Sequence, residues 1–548
     1  MGTTATTASA ISDQPIARRS LVKATAGLAA AGLAASALPL THAVAAEEAA
    51  ANPTIPSFLV KPEPIAEFTQ THEYDVVVVG AGEAGLSAVH SAREAGATVA
   101  CLQNSDTAFT TGNMAASLDL KQTSEAGVAA CISFINWKSD FRSNRDLVES
   151  WARNSTEALA WWAESTAKGG VESKPYDYSF TYNSYEMFFH ANTYFHTEGH
   201  QAGAVVIAQQ EAEAGAEFFY NTPAVQLQVA EDGAVTGVIG QDADGNYHLF
   251  SAKKGVILCT GDYTGNTEMA DYYCPDTKGF EPGVMFRDGS GFAMGMWAGA
   301  LMTPPNHTKM IHGEPAPTRL EMPFLFVNTA GERFMDENCG GRMGYLNNYQ
   351  RKTIAQMGFT NPVASKLFSI VPNNWEEYVD EWKAANPYEI STHNAYRDVD
   401  PSAWITADTL EDLCAGINAY MEENEWGLEP MDTQTFVDTV TRYNELCAKG
   451  SDDDFGKDPM YMVPCDSAPY YACVRGSHRK SAILSGLVVD SNSQCLNADM
   501  QPIAGLFAAG NAAGQFYGGV DYPMNIEGLS IGRAITSGYV VGAHVAGL

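Results

Sequence analysis

The residues with the most legible chemistry are Gly80, Gly82 and Gly85, set at G-x-G-x-x-G spacing in Gly80-Ala81-Gly82-Glu83-Ala84-Gly85. That chemistry is phosphate binding. The first glycine permits a tight turn, and the second lets a pyrophosphate approach the backbone. The third lets a helix pack closely on a strand, and the helix N-terminus then faces the phosphate charge. The elements that must position these glycines are also present. Val76–Val79 is a β-branched run, as expected of a buried parallel strand. A helical pattern follows to Ala95, Gly96 breaks it, and Val99–Leu102 is a second apolar run. A Gly-rich turn in an ordinary α/β domain accounts for the glycines alone. The complete strand–turn–helix–strand unit points to an ADP-containing dinucleotide.

The chain has 548 residues, 45% hydrophobic and 18% charged. That length implies several domains and ample core. The net charge is −33, with 65 acidic against 32 basic residues, which argues against nucleic acid or an anionic membrane surface as partner. The 10 cysteines include no C-x-x-C pair, C-x-x-C-H haem site or ferredoxin-like spacing. Neither a disulfide framework nor a metal site is expected. An iron–sulfur site from scattered cysteines stays an open alternative.

Residues 1–46 read as an export signal. Arg18-Arg19-Ser20-Leu21-Val22-Lys23 precedes the Ala-rich run Ala24–Leu40, and Ala43-Val44-Ala45 offers a small-residue cleavage site. This is the twin-arginine pattern, so the protein is expected in the periplasm, the cell envelope or outside the cell. A disordered Ala-rich tail with a chance Arg pair is the alternative. No later run reaches the roughly 18 uninterrupted apolar residues of a membrane span, so no integral membrane segment is expected in the mature chain. Twin-arginine substrates cross the membrane folded, and a bound cofactor can travel with them.

Residues 47–72 are Ala-, Glu- and Pro-rich and read as a linker. The dinucleotide unit opens a first part at 73–300. There, 145–168 and 200–215 read as helices, and Val225–Val229, Val235–Gly240 and Tyr247–Ser251 as small antiparallel strands. From 301 to 455 the composition shifts to Pro, His, Arg, Asn and aromatics, with helices expected at 409–424 and 433–449. Residues 456–548 return to the earlier style and end in a small-residue helix. The expected fold is α/β: a discontinuous Rossmann-like domain with an inserted α+β substrate or capping domain.

Six blocks in order carry a family resemblance: GAGEAG (80–85), ILCTGDYTGN (257–266), DGSGFAMGMWAGA (288–300), VNTAGERFMDE (327–337), GLFAAGN (505–511) and GGVDYPMNIEGLSIGRA (518–534). The chain resembles the FAD-dependent fumarate reductase/succinate dehydrogenase flavoprotein superfamily over roughly 73–548. Within it the chain looks like the exported actinobacterial reductases, with a tail like that of 3-ketosteroid Δ1-dehydrogenases. The resemblance implies FAD. Gly80, Ala81, Gly82 and Gly85 would hold the pyrophosphate, and Gly112, Asn113 and Ala115 would line the isoalloxazine side. Val225 would face the adenine, with Gly261 and Asp262 near the adenosine. Gly510, Asn511 and the helix start at Ser530-Ile531 would meet the ribityl chain and flavin carbonyls. The family usually has Glu at the ribose position. Gln103 stands there instead, with a carbonyl that can still accept but no charge.

The resemblance also implies the reaction: hydride from flavin N5 to one carbon of an activated C=C, and a proton on the opposite face. In the family an Arg shortly after the G-x-R-F block delivers the proton, which selects Arg342. Fumarate reductases hold a second carboxylate with an Arg in the tail block. This tail reads Val520-Asp521-Tyr522-Pro523 without it; the resemblance to ketosteroid dehydrogenases, which have a Tyr-Pro at the comparable place, implies Tyr522 as the carbonyl donor, with Tyr517 a weaker candidate. His307, His312 and His478, with Arg475 and Arg479, lie in segments that flank the family's substrate pocket. Arg319 sits near the place of a relay partner to the acid, and Lys480 is expected to be solvated. The expected activity is reduction of an enone, enoate or steroid-like acceptor, with a ketosteroid Δ1-desaturase as the alternative and a non-catalytic flavin electron carrier as a third reading. No haem motif or covalent-FMN domain is recognisable, so electrons are expected from a separate cytochrome or flavoprotein.

Overall fold

The computed structural model describes residues 55–112, 114–193, 197–278, 280–313, 322–337, 366–378, 382, 401–475, 477–520, 522–523 and 525–548. Two units divide the chain at Glu63/Pro64. In the first, Ser57–Leu59 forms one 3-10 turn. The second, from Pro64 onward, carries the rest.

Its principal sheet is built on five parallel strands. They are β1 (Gln70–Val79), β2 (Val99–Leu102), β3 (Glu217–Phe219), β4 (Tyr247–Leu258) and β5 (Pro502–Ala508), in spatial order β5-β4-β1-β2-β3. Val76, Val77, Val78 and the strand Val99–Leu102 are fully or nearly fully buried, because helices cover the sheet and both faces need apolar side chains. Helix α1 (Glu83–Glu94) lies between β1 and β2. The closing helix α2 (Leu529–Gly547) packs directly on α1. Gly538 and Gly542 make that approach possible: a Cβ on either would lie 1.9 Å from Ala84 O or 2.3 Å from Ala88 O.

β4 changes neighbours along its length. Its first half pairs antiparallel with Val235–Gln241, and its second half pairs parallel with β5. It therefore joins into one strand the two runs that the sequence presents separately, Tyr247–Ser251 and Gly255–Leu258. A three-stranded antiparallel sheet joins Met114–Leu118, Lys174–Tyr182 and Tyr185–Thr193. A four-stranded antiparallel sheet joins Leu325–Asn328, Leu367–Val371, Ile405–Ala407 and Tyr470–Arg475, with helices Leu410–Glu423 and Thr433–Lys449 in its core. Its last strand lies beyond residue 455. Among the described residues no helix is long and apolar enough to cross a membrane, the cysteines are free, and no His/Cys/Asp/Glu group is arranged to hold a metal.

Buried charge concentrates near this four-stranded sheet. Arg333 forms a two-point bridge to Glu337 and another to Asp452, with bonds of 2.7–2.9 Å. Lys457 Nζ reaches Glu337 at 3.2 Å and the Tyr443 hydroxyl at 2.9 Å. All four charged side chains are buried.

Candidate functional site

At the C-terminal ends of β1, β4 and β5 the chain encloses a cavity of about 630 Å³, with Val79, Cys259 and Ala509 in its wall. Open α/β sheets bind ligands at this end of their strands, and the volume is that of a cofactor site.

The glycine turn closes one side. Gly80 has φ +103°, and a Cβ there would sit 2.5 Å from Cys259 O. A Cβ on Gly85 would sit 1.7 Å from Gly80 O. Only glycine fits either place, and Gly80 and Gly82 face the cavity without side chains. α1 then begins with N-cap Gly82 and no side-chain cap. α2 begins the same way, with N-cap Gly528. Gly82, Glu83 and Ala84 of one helix start and Leu529, Ser530 and Ile531 of the other line the same cavity. Two uncapped N-termini therefore offer backbone N–H groups and positive dipole ends to one ligand.

The sequence-derived site residues separate into three groups. Gly80, Gly82, Gln103, Gly112, Gly261, Gly510, Asn511, Ser530, Ile531 and Tyr522 all line the cavity. A second group stands behind its wall. Gly85 and Ala81 are buried under the turn, and Ala115 lies against Gly528. Val225 is displaced by a register irregularity between Ala224 and Gln226, and Ala224 takes its place in the wall. Asp262 is fully buried and works as an internal hub. Its carboxylate accepts from Thr264 N, Thr264 Oγ1, Ile483 N and Arg287, at 2.7–3.2 Å.

The third group is placed by other contacts. His307 is fully buried. Its Nδ1 is 2.6 Å from the Tyr263 hydroxyl and its Nε2 is 2.9 Å from Thr303 O. Burial pushes its pKa down to about 4, so it is a neutral core residue. Tyr517 is also fully buried, in the core around Phe516. Burial raises its hydroxyl well above the usual tyrosine range. Lys480 is buried rather than solvated, with Nζ 3.1 Å from Phe280 O, and it lines the cavity. His312 and His478 are placed by backbone pairing alone: their strands, Lys309–Gly313 and Ser477–Ile483, run antiparallel, and His312 lies opposite Arg479. Asn113, Arg319 and Arg342 lie outside the described residues.

Gln103 has a role that its spacing does not reveal. Its Oε1 accepts from Ala81 N at 2.9 Å, and its Nε2 donates to Ser105 Oγ at 2.6 Å. The side chain ties the end of β2 to the glycine turn, and its carbonyl is already engaged. Four further cavity residues carry no signal of their own in the sequence. Glu83 sits inside the glycine motif, and burial raises its carboxyl to about 7 against the pull of Arg287. Arg287 bridges Asp262, Thr111 and Ser481 O. Phe286 meets Phe109 edge to face at 5.3 Å, and both line the cavity.

A parallel sheet, a bare glycine turn and two helix N-termini at one cavity define a dinucleotide-binding protein. The family model described as an FAD binding domain matches residues 75–522, and the chain belongs to that family: it is an FAD-dependent oxidoreductase. It is 28% identical over 507 residues to the vinyl phenol reductase of Lactiplantibacillus plantarum, covering 86% of this chain and 96% of that one. Among solved structures it resembles an open conformation of a flavocytochrome c3 fumarate reductase (TM-score 0.59, 21% identity, 87% of this chain and 79% of that one). It also resembles the 3-ketosteroid Δ4-(5α)-dehydrogenase of Rhodococcus jostii RHA1 (TM-score 0.60, 22% identity, 88% and 98%). The cavity fits FAD on its own evidence. Gly80 and Gly82 line it without side chains, so a pyrophosphate can approach the backbone, and its two helix starts supply the donors that phosphates and flavin carbonyls need.

Proposed function

We propose that this protein reduces a C=C bond conjugated to a carbonyl or a comparable electron-withdrawing group, in an enone, enoate or steroid-like acceptor. One observation carries the reading: Tyr522 lines the same cavity as the glycine turn and both helix starts. The cofactor and a phenolic donor for an activating oxygen thus share one enclosure. The name of the vinyl phenol reductase relative supports the direction of reaction.

When bound, FAD supplies the two-electron hydride chemistry. Tyr522 donates its O–H to the activating oxygen and stabilises the negative charge that gathers there as the β-carbon is reduced. Arg342 gives the α-carbon its proton, which completes the addition of two electrons and two protons. Tyr522 is partly buried and packs on the core around Phe516, which fixes the direction of its phenol. We further propose that the protein is exported by the twin-arginine route, and that a separate cytochrome or flavoprotein supplies its electrons.

The test is an anaerobic assay with a reduced viologen and a panel of a vinylphenol, an enoate, an enone and a ketosteroid. Acceptor-dependent oxidation that falls at least tenfold in Tyr522→Phe is expected. No oxidation with any acceptor in an FAD-loaded preparation would sink the reading. A second reading, a ketosteroid Δ1-desaturase, draws on Tyr522-Pro523 and Asn511, which line the cavity together. Oxidation of a saturated ketosteroid with an artificial acceptor would favour it.

A further inference from the structure

Arg533 is a buried cation that neither the fold nor the proposed reaction uses. It sits one turn into α2 and is 3% exposed. Among the described residues no carboxylate lies within ion-pair distance. Its Nη2 donates to Asn511 Oδ1 at 2.9 Å and its Nη1 to Ala513 O at 3.3 Å. Among the described residues its Nε has no hydrogen-bond partner. The guanidinium lies 5.4 Å from the Phe516 ring and 5.5 Å from the Tyr517 ring. Aromatic faces ease the burial of a cation but do not neutralise it.

A buried charge without a counter-ion is costly, and a stability argument alone leaves Arg533 unexplained. The geometry shows what it does to its neighbour. A guanidinium can only donate, so Asn511 must turn Oδ1 toward it. Asn511 lines the cavity, and its Nδ2 has no protein partner among the described residues. Its amide therefore presents N–H donors to the cofactor, with an uncompensated positive charge directly behind them.

We infer that Arg533 is a positioning residue that sets the reduction potential of the bound FAD. It fixes Asn511 as a donor and adds positive charge in a water-poor wall. Two-electron reduction places negative charge on the flavin, and a nearby cation favours that state. At an effective dielectric of about 20, one charge several ångströms away shifts such an equilibrium about tenfold or more. The inference requires FAD but no particular acceptor, so it survives failure of the C=C proposal.

The experiment is equilibrium redox titration of FAD-loaded wild type, Arg533→Met and Asn511→Asp, with FAD content measured by absorbance. Arg533→Met removes the charge. Asn511→Asp keeps Arg533 but neutralises it with a carboxylate. In both variants the equilibrium is expected to shift at least tenfold toward oxidised FAD, a fall of about 30 mV for a two-electron couple. An unchanged potential in FAD-loaded Arg533→Met overturns the inference. If Arg533→Met does not fold, Asn511→Asp decides alone, and an unchanged potential there overturns it equally.

Discussion

Glu83 is the first residue of α1, in the cavity wall where a pyrophosphate would approach. Burial raises its carboxyl from 4.5 to about 7. Below the unfolded-state value the group is neutral in both states and costs nothing. Between there and about 7 the unfolded chain ionises while the folded chain holds its proton, so stability falls as pH rises. A tenfold change in proton affinity is worth about 1.36 kcal/mol, so the whole rise corresponds to about 3 kcal/mol. Solvent reaching this partly exposed side chain lowers the figure to about 2 kcal/mol. Glu83→Gln removes the ionisation. The variant should therefore gain on the wild type by about 2 kcal/mol between about pH 5 and about pH 8. The assay is urea unfolding of FAD-free protein at both pH values. FAD affinity should show the same divergence, because an ionised Glu83 repels the pyrophosphate. A stability difference between variant and wild type that stays constant across this range would refute the reasoning.

Gly85→Ala forces a Cβ to within 1.7 Å of Gly80 O. The obstacle is backbone, so the turn itself must move. A loss of about 3 kcal/mol, at the upper end of overpacking costs, should accompany loss of retained FAD, read from thermal unfolding and the flavin-to-protein absorbance ratio. Lys457→Met leaves Glu337 facing Arg333 with one cation fewer, in a fully buried site. It should cost about 3–5 kcal/mol in denaturant unfolding, while a Lys457→Arg variant recovers part of the loss.

Much of this fold is written in local pattern. The helix expected over 145–168 is Arg145–Lys168, and those expected over 409–424 and 433–449 are Leu410–Glu423 and Thr433–Lys449. Each has apolar residues at helical spacing and a side-chain cap from Asn144, Thr409 or Asp432. The glycine turn is legible because each glycine answers to a distinct steric demand. The hairpin Lys174–Tyr182/Tyr185–Thr193 also shows its alternation, in Tyr176, Tyr178, Phe180 and Tyr182. It escapes a sequence reading because no glycine marks its turn; Asn183 and Ser184 take the positive φ angles instead. What sequence does not show is where a side chain spends its hydrogen bonds. Nothing in the residues around Gln103 reveals that Ala81 N–H claims its carbonyl. Tyr517 and Tyr522 stand five positions apart, yet one is sealed in the core and the other lines the cavity. That difference follows from how α2 closes over the site, and periodicity carries no record of it.

The packing of α2 on α1 through Gly538 and Gly542 has a consequence for biogenesis. One wall of the cavity belongs to the glycine turn, which leaves the ribosome early. The other belongs to a helix that is translated far later. Until α2 emerges, a nascent chain thus carries half a cradle, with the Ala84 and Ala88 backbone uncovered where α2 will dock. Cofactor enclosure therefore waits until α2 has emerged. The act that seals the cavity also buries the face that a quality-control factor would recognise on an incomplete molecule.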